Sequence, residues 1–81
     1  MKTLTDVGEA IYHSVLNDDI VCLEAPDIDL PLNLFEQMRD EKQIHGLDWC
    51  EIEPGMVYVW GLVANRKFRV LVIQTPNQKR T

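Results

Sequence analysis

Apolar side chains recur at three- and four-residue steps near the start of the chain. The residues of this stripe are Leu4, Val7, Ile11 and Val15. That spacing places them on one face of an α-helix. Asp6 followed by Glu9 has the form of a capping box, in which a side-chain oxygen caps the first turn. The pattern therefore predicts a helix that begins at Thr5 or Asp6 and ends in a turn at residues 17–19.

A second helix is predicted after Pro31, a residue that suits the first helical turn because its missing N–H is not needed there. Its buried face is predicted to consist of Leu34, Phe35 and Met38. Basic side chains near the C-terminus followed by glycine favour a helix end, so we expect this helix to reach His45 and to be capped by Gly46. Ile44 lies off the apolar stripe of this helix.

Four segments have the β-branched, aromatic or alternating character of strands. They are residues 20–23, 47–53, 56–63 and 68–74. Pro54 and Gly55 predict a type II turn, because glycine takes the positive φ that this turn requires. Residues 64–67 form a polar hairpin loop, with Asn65 as the expected left-handed residue.

These elements predict a single α+β domain over residues 1–81 in the order α-β-α-β-β-β. Tight turns join the last three strands, which should form an antiparallel meander. The two helices should pack on one face of the sheet as a two-layer sandwich. The strand at residues 20–23 joins either an edge or the middle of this sheet. Residues 1–3 and 76–81 are expected to be loose ends.

The strand at residues 56–63 is apolar on both faces. One set of alternating side chains is large and the other is small, so either set is able to fill a core. The simpler arrangement buries the large set and leaves the small valines partly exposed. If Tyr58 and Trp60 instead lie on an open face, that face is a contact site, because aromatic residues dominate interface energies.

Composition indicates an ordinary globular protein, with 46% apolar and 26% charged residues. The chain opens without the apolar segment of a signal peptide, and no apolar run has the length of a membrane span. We therefore expect a cytoplasmic protein that has no contact with a membrane. Cys22 and Cys50 lie in strand-like runs and are expected to be buried thiols.

No stretch of the chain has the pattern of a catalytic, cofactor or metal site. Its one serine, Ser14, lies within a helix, and no glycine-rich loop is present. His13 and His45 are far apart and lack the spacing of zinc ligands. Asp27 and Asp29 flank a helix N-terminus, where carboxylates are favourable without any catalytic role. The prediction is a protein that is not an enzyme and uses no cofactor or metal.

Charge divides the chain into two blocks. All thirteen acidic residues lie at or before Glu53, together with three bases, whereas the remaining residues contain five bases and no acid. Five of the carboxylates surround the strand at residues 20–23. They are Asp18, Asp19, Glu24, Asp27 and Asp29. Such a surface attracts basic partners. The main hypothesis is a small acidic binding protein of the inhibitor, immunity, antitoxin or anti-defence type, acting on a protein with a basic surface, including a nucleic-acid-binding protein.

Two alternatives use other surfaces. The first is a nucleic-acid-binding module that uses the basic hairpin residues Arg66, Lys67 and Arg69, with Lys79 and Arg80 on the tail. Net charge of −5 argues against it. The second is a subunit of a homodimer or a hetero-oligomer that associates through an aromatic sheet face, for which the candidate contact residues are Ile44, Tyr58 and Trp60. The charge split also has an explanation that involves no function, in which the acidic and basic halves of the chain face each other within one fold.

Overall fold

The computed structural model of the 81-residue chain describes residues 3–4 and 6–76, with side chains from Asp6 onward. It contains two helices and five strands. In chain order they are β1 (Thr3–Leu4), α1 (Val7–Asn17), β2 (Ile20–Ala25), α2 (Asp29–Asp40), β3 (His45–Glu53), β4 (Met56–Val63) and β5 (Arg66–Gln74). This is the predicted α+β class, with one short strand added at its start.

The strands form one mixed sheet in the order β1-β2-β5-β4-β3. β3, β4 and β5 make the predicted antiparallel meander. β2 runs parallel to β5 and to β1, so it is an inner strand of the described sheet and not its edge. Parallel pairing of β2 with β5 requires a long crossover, which α2, β3 and β4 supply.

The helix α1 begins as its sequence predicts. The Asp6 side chain accepts a hydrogen bond from the N–H of Glu9 at 3.2 Å, which satisfies one of the donors left unpaired at a helix start. At the other end Asp18 adopts a left-handed conformation with φ of 52°, and its N–H bonds to the carbonyl of Ser14. Val7, Ala10, Ile11 and Ser14 are the buried residues of this helix.

Both helices cover one face of the sheet, and the core lies between them and that face. Phe35 of α2 stacks on Phe68 of β5, with ring centroids 5.9 Å apart. The sheet contributes alternate residues of its inner strands to this core. They are Val21, Leu23, Val57, Val59, Phe68, Val70 and Val72, and all are buried. The small side chains of β4 therefore point inward, and the simpler arrangement expected from the sequence is reversed.

The helix α2 ends five residues earlier than predicted, at Asp40. Lys42 takes a left-handed conformation with φ of 66°, and the N–H groups of Gln43 and Ile44 both bond back to the carbonyl of Met38. This early exit turns Ile44 into the core, where it is only 1% exposed. Leu34, which was expected on the buried face, is instead 49% exposed.

Strand boundaries also differ, since β2 extends to Ala25 and β3 begins at His45. β5 starts at Arg66, because the hairpin turn consists of Ala64 and Asn65 alone, with φ of 52° and 65°. Val63 therefore pairs directly with Arg66. At the start of the chain Thr3 is paired with β2, although residues 1–3 were expected to be loose. Residues 77–81, including Lys79 and Arg80, lie outside the described part of the chain.

Candidate binding surface

The sheet face that points away from the helices forms a broad surface, which we call the open face. Strand register aligns its side chains in four rows. The rows are Lys67, Leu62 and His45; then Ile20, Arg69, Trp60 and Asp48; then Cys22, Leu71, Tyr58 and Cys50; and finally Glu24, Ile73, Met56 and Glu53. None of these side chains is buried, in contrast to most of the helix-facing side chains of β2, β4 and β5.

Apolar and aromatic side chains dominate the middle of the open face. Tyr58 and Trp60 lie next to each other on β4, with ring centroids 5.4 Å apart and planes tilted by 34°. Leu71 is registered opposite Tyr58, and Leu62 extends the apolar strip with 38% exposure. A monomeric soluble protein rarely leaves such a continuous apolar patch in water, so the open face has the character of a contact surface.

A shallow concavity of about 460 Å³ lies on this face. It is lined by Cys50, Tyr58, Trp60, Lys67 and Arg69. Two aromatic rings and two cationic side chains thus surround one depression. Trp and Arg are common anchors in protein interfaces because they combine large apolar area with directed hydrogen bonds.

Charged residues lie at opposite ends of the open face. Lys67 and Arg69 occupy the first two rows on β5, which we call the basic end. Glu24 and Glu53 occupy the last row on β2 and β3, which we call the acidic end. The uncharged row of Leu71 and Tyr58 lies between the two ends, which are roughly 13–20 Å apart at about 3.3 Å per residue along a strand. Asp48 on β3 lies in the second row, across from Arg69. A partner that fits this face carries acidic groups opposite the basic end and basic groups opposite the acidic end.

The five carboxylates of the acidic hypothesis fall into separate groups. Asp18 and Asp19 lie where β2 begins, whereas Asp27 and Asp29 follow its other end. Glu24 points to the open face. Several serve local structure: Asp19 Oδ1 accepts from the N–H of Ile20 at 2.8 Å, and Asp27 Oδ1 accepts from the N–H of Asp29 at 3.0 Å. The structure does not bring the five together in one patch.

The bases of the hairpin contact the end of α1. Arg69 Nη2 donates to the carbonyl of Asp18 at 2.9 Å and lies 3.7 Å from its carboxylate. Arg66 Nη2 donates to the carbonyl of Val15 at 3.4 Å. Guanidinium groups near a helix C-terminus are favourable because the helix dipole is negative there. Each contact uses one Nη2 group, so the other donors of both guanidinium groups stay available to a partner.

The remaining predicted site residues have mixed positions. Ile44 belongs to the core and is unavailable for contact, which corrects its assignment to the interface. Tyr58 and Trp60 lie on the open face as the oligomer alternative requires. Cys50 is exposed and Cys22 is half-buried, so neither is the buried thiol that the sequence predicted. They lie on β3 and β2, with β4 and β5 between them.

Sequence reasoning missed several contributors to the open face, chiefly Ile20, Met56, Leu71 and Ile73. A signal for them was present. A hairpin loop of two or four residues fixes the register of β4 and β5 so that the side chain of Trp60 lies on the same face as those of the odd-numbered residues of β5. That set includes Lys67 and Arg69, whose charges belong on a solvated face. The sequence therefore contained enough information to place Trp60 on the solvated face of the sheet.

A second concavity, of about 480 Å³, lies between the start of α1 and α2. Its lining is mainly apolar and includes the exposed side chains of Leu30 and Leu34. Within residues 3–4 and 6–76, no three His, Cys, Asp or Glu side chains are grouped as metal ligands would be. Neither helix of that same stretch has the length and apolar character needed to cross a membrane.

Comparison with other proteins adds no functional assignment to this geometry. No protein-family model matches the chain, and neither the curated proteins nor the solved structures contain a match to it. Function must therefore be argued from the surface itself.

Proposed function

We propose that this protein is a non-catalytic binding protein that acts as a subunit of a protein assembly, modulating the partner it joins through the open face. The observation that carries the proposal is the outward position of Tyr58 and Trp60 on a sheet face that no described residue covers. Burying such aromatics against a partner removes large apolar areas from water.

Packing within the fold supports the same proposal. The opposite sheet face is already filled by the helices, and the aromatic pair contributes nothing to that core. The open face is therefore suited to intermolecular contact more than to the stability of the isolated chain.

The test compares the native assembly size of the tagged chain with that of a Trp60→Ser variant in its own cells. We expect the unaltered chain to migrate well above the 9.4 kDa of one chain and the variant to migrate near it. Leu16→Ser is the matched control, because Leu16 is exposed on α1 away from the open face. Migration of both forms as monomers contradicts the proposal.

A second proposal concerns a basic protein partner bound by the acidic half. Asp27 and Asp29 are exposed and lie at the same end of β2 as Glu24, which concentrates three carboxylates there. Changing these three to their amides should weaken capture of a basic partner more than the same change at Asp18 and Asp19. Equal capture by all forms contradicts this second proposal.

A further inference from the structure

We infer that the partner of the open face is a second copy of this chain, packed face to face with its strands running in the reverse direction. This inference rests on the proposed function and identifies its partner. Two-fold symmetry requires one patch to complement itself. The open face has that property in outline, because Trp60 and Tyr58 lie at its centre, Lys67 and Arg69 lie toward one end, and Glu24 and Glu53 lie at the other. Asp48 is the one acid in the half that carries the two bases.

The direction of packing follows from the charges. A two-fold axis that lies in the interface perpendicular to the strands places the basic end of one copy over the acidic end of the other. Lys67 then approaches Glu24 of the second copy, and His45 approaches Glu53 of the second copy. Opposite potentials across an interface favour association and fix its register.

The other face-to-face arrangement has its two-fold axis along the strands. That axis places like ends together and brings β2 of one copy over β3 of the other. Glu24 then faces Glu53 of the second copy, and this contact occurs twice. Juxtaposed like charges at an interface are strongly unfavourable. The charge pattern therefore favours the reversed arrangement over the parallel one.

The central rows form the contact in this arrangement. Row two of one copy lies over row three of the other, so that Trp60 meets Tyr58 of the second copy and the same contact repeats across the axis. Four aromatic rings then cluster at the middle of the interface. Hot spots of binding energy lie in central, desolvated positions of this kind and are enriched in tryptophan and tyrosine.

The area of the open face suits a weak, reversible dimer. Four strands about 4.8 Å apart span about 19 Å, and rows that extend over about 20 Å give a projected footprint of roughly 400 Å² per copy. The total of roughly 800 Å² from both copies lies in the size range of weak, transient interfaces. Two packed sheets about 10 Å apart would complete a four-layer α/β/β/α molecule.

The first experiment is sedimentation equilibrium of the purified chain over a concentration series. We expect a species of twice the 9.4 kDa chain mass. Trp60→Ser should raise the dissociation constant at least about 30-fold, the loss typical of a hot-spot residue, whereas Leu16→Ser should leave it unchanged. Circular dichroism of each variant confirms that it is folded.

A charge exchange tests the reversed direction. One variant carries Lys67→Glu and the other carries Glu24→Lys with Glu53→Lys, so that each alone brings like charges together in the dimer. Each should dissociate more readily than the unaltered chain. Mixed in equal amounts, they should form a heterodimer, identified by its mass in native mass spectrometry, because both ends then match. The weakening of each variant alone separates the two arrangements, because the parallel one already places Glu24 over Glu53 in the unaltered chain.

Three results overturn the inference. The first is a purified chain that stays monomeric at every concentration; if Trp60→Ser still alters the native assembly in cells, the proposed function stands and only the second copy is excluded. The second is a dimer that is insensitive to Trp60→Ser. The third is a mixture of charge variants that gives no heterodimer, which excludes the reversed packing.

Discussion

At the scale of single residues, Ser14 connects the helical layer to the sheet. It is 1% exposed, and it is the one buried polar side chain among the described residues. Its Oγ accepts from the N–H of Arg69 at 2.7 Å and lies 2.7 Å from the carbonyl of Asp19 and 3.0 Å from that of Arg69. A hydroxyl has one proton, so it donates to one of these carbonyls at a time.

Replacing Ser14 with alanine should lower the free energy of unfolding by about 1–3 kcal/mol, because it leaves the N–H of Arg69 without the partner it has here. Urea denaturation followed by circular dichroism measures the change. Asn17→Ala is the control, since Asn17 is an exposed residue of the same helix and should alter stability by no more than about 0.5 kcal/mol. Equal effects of the two substitutions would contradict a structural role for the hydroxyl.

Gly61 is a second residue with a specific structural role. Because it has no side chain, Ile44 and the ring of Phe68 are able to pack closely against β4. A Cβ placed on Gly61 would lie 3.0 Å from the ring of Phe68 and 3.2 Å from Cγ2 of Ile44. Gly61 lies on the same face of β4 as Val57 and Val59, and the Phe68 ring fills the space above it. That face of β4 therefore suits the core. A larger residue there would collide with the Phe68 ring.

Gly61→Ala should destabilise the fold by about 1–3 kcal/mol through overpacking. Shortening the opposing ring with Phe68→Leu should relieve that strain, so the double variant should be more stable than the sum of the two single effects predicts. Thermal unfolding of the four proteins in this cycle measures the coupling. Strict additivity would show that Gly61 is required for another reason.

At the scale of elements, the sequence predicts most of the fold because its caps and turns are local. The N-cap at Asp6 and the positive φ of Gly55 appear as expected, and β3 alternates as expected over residues 48–51. A register shift between Glu51 and Glu53 then interrupts that alternation. The end of α2 could not be predicted, because it depends on a distant contact. Ile44 packs over Gly61 of β4, and this burial favours an exit at Lys42 despite its left-handed φ.

The same reasoning applies to the open face. Both sets of side chains on β4 are apolar, so periodicity within that strand leaves the buried face undetermined. The choice is made by neighbouring strands, since Lys67 and Arg69 share a face with Trp60 once the hairpin register is fixed. The acidic hypothesis relied on nearness in sequence, whereas a six-residue strand separates its two groups of carboxylates by roughly 20 Å.

The β4–β5 hairpin offers a prediction for one turn. Ala64 and Asn65 both have positive φ, which is the pattern of a type I′ turn, and such turns favour asparagine followed by glycine. Ala64→Asn should raise the free energy of unfolding by up to about 1 kcal/mol, because asparagine tolerates the left-handed region better than alanine does. Ala64→Val, which is β-branched, should lower it. The midpoint of thermal unfolding checks both, and the opposite order would contradict the turn assignment.

At the scale of the whole molecule, one sheet has two unequal faces. Helices fill one face with a core centred on Phe35 and Phe68, and the open face retains Tyr58 and Trp60. A chain of 81 residues buries only about 60–65% of its unfolded surface, so its stability as a monomer is small. Association through the open face would add apolar burial that the single chain lacks.

Unfolding of the purified chain should therefore depend on its concentration. If native dimers dissociate as they unfold, each tenfold increase in total chain adds about 1.4 kcal/mol per dimer to the apparent free energy of unfolding. The thermal midpoint of the unaltered chain should rise with concentration, while that of Trp60→Ser should not. Leu16→Ser should follow the unaltered chain. A midpoint that stays constant for the unaltered chain over a wide range would mean that its stability is that of a monomer, and that Trp60 contributes only to contacts with another protein.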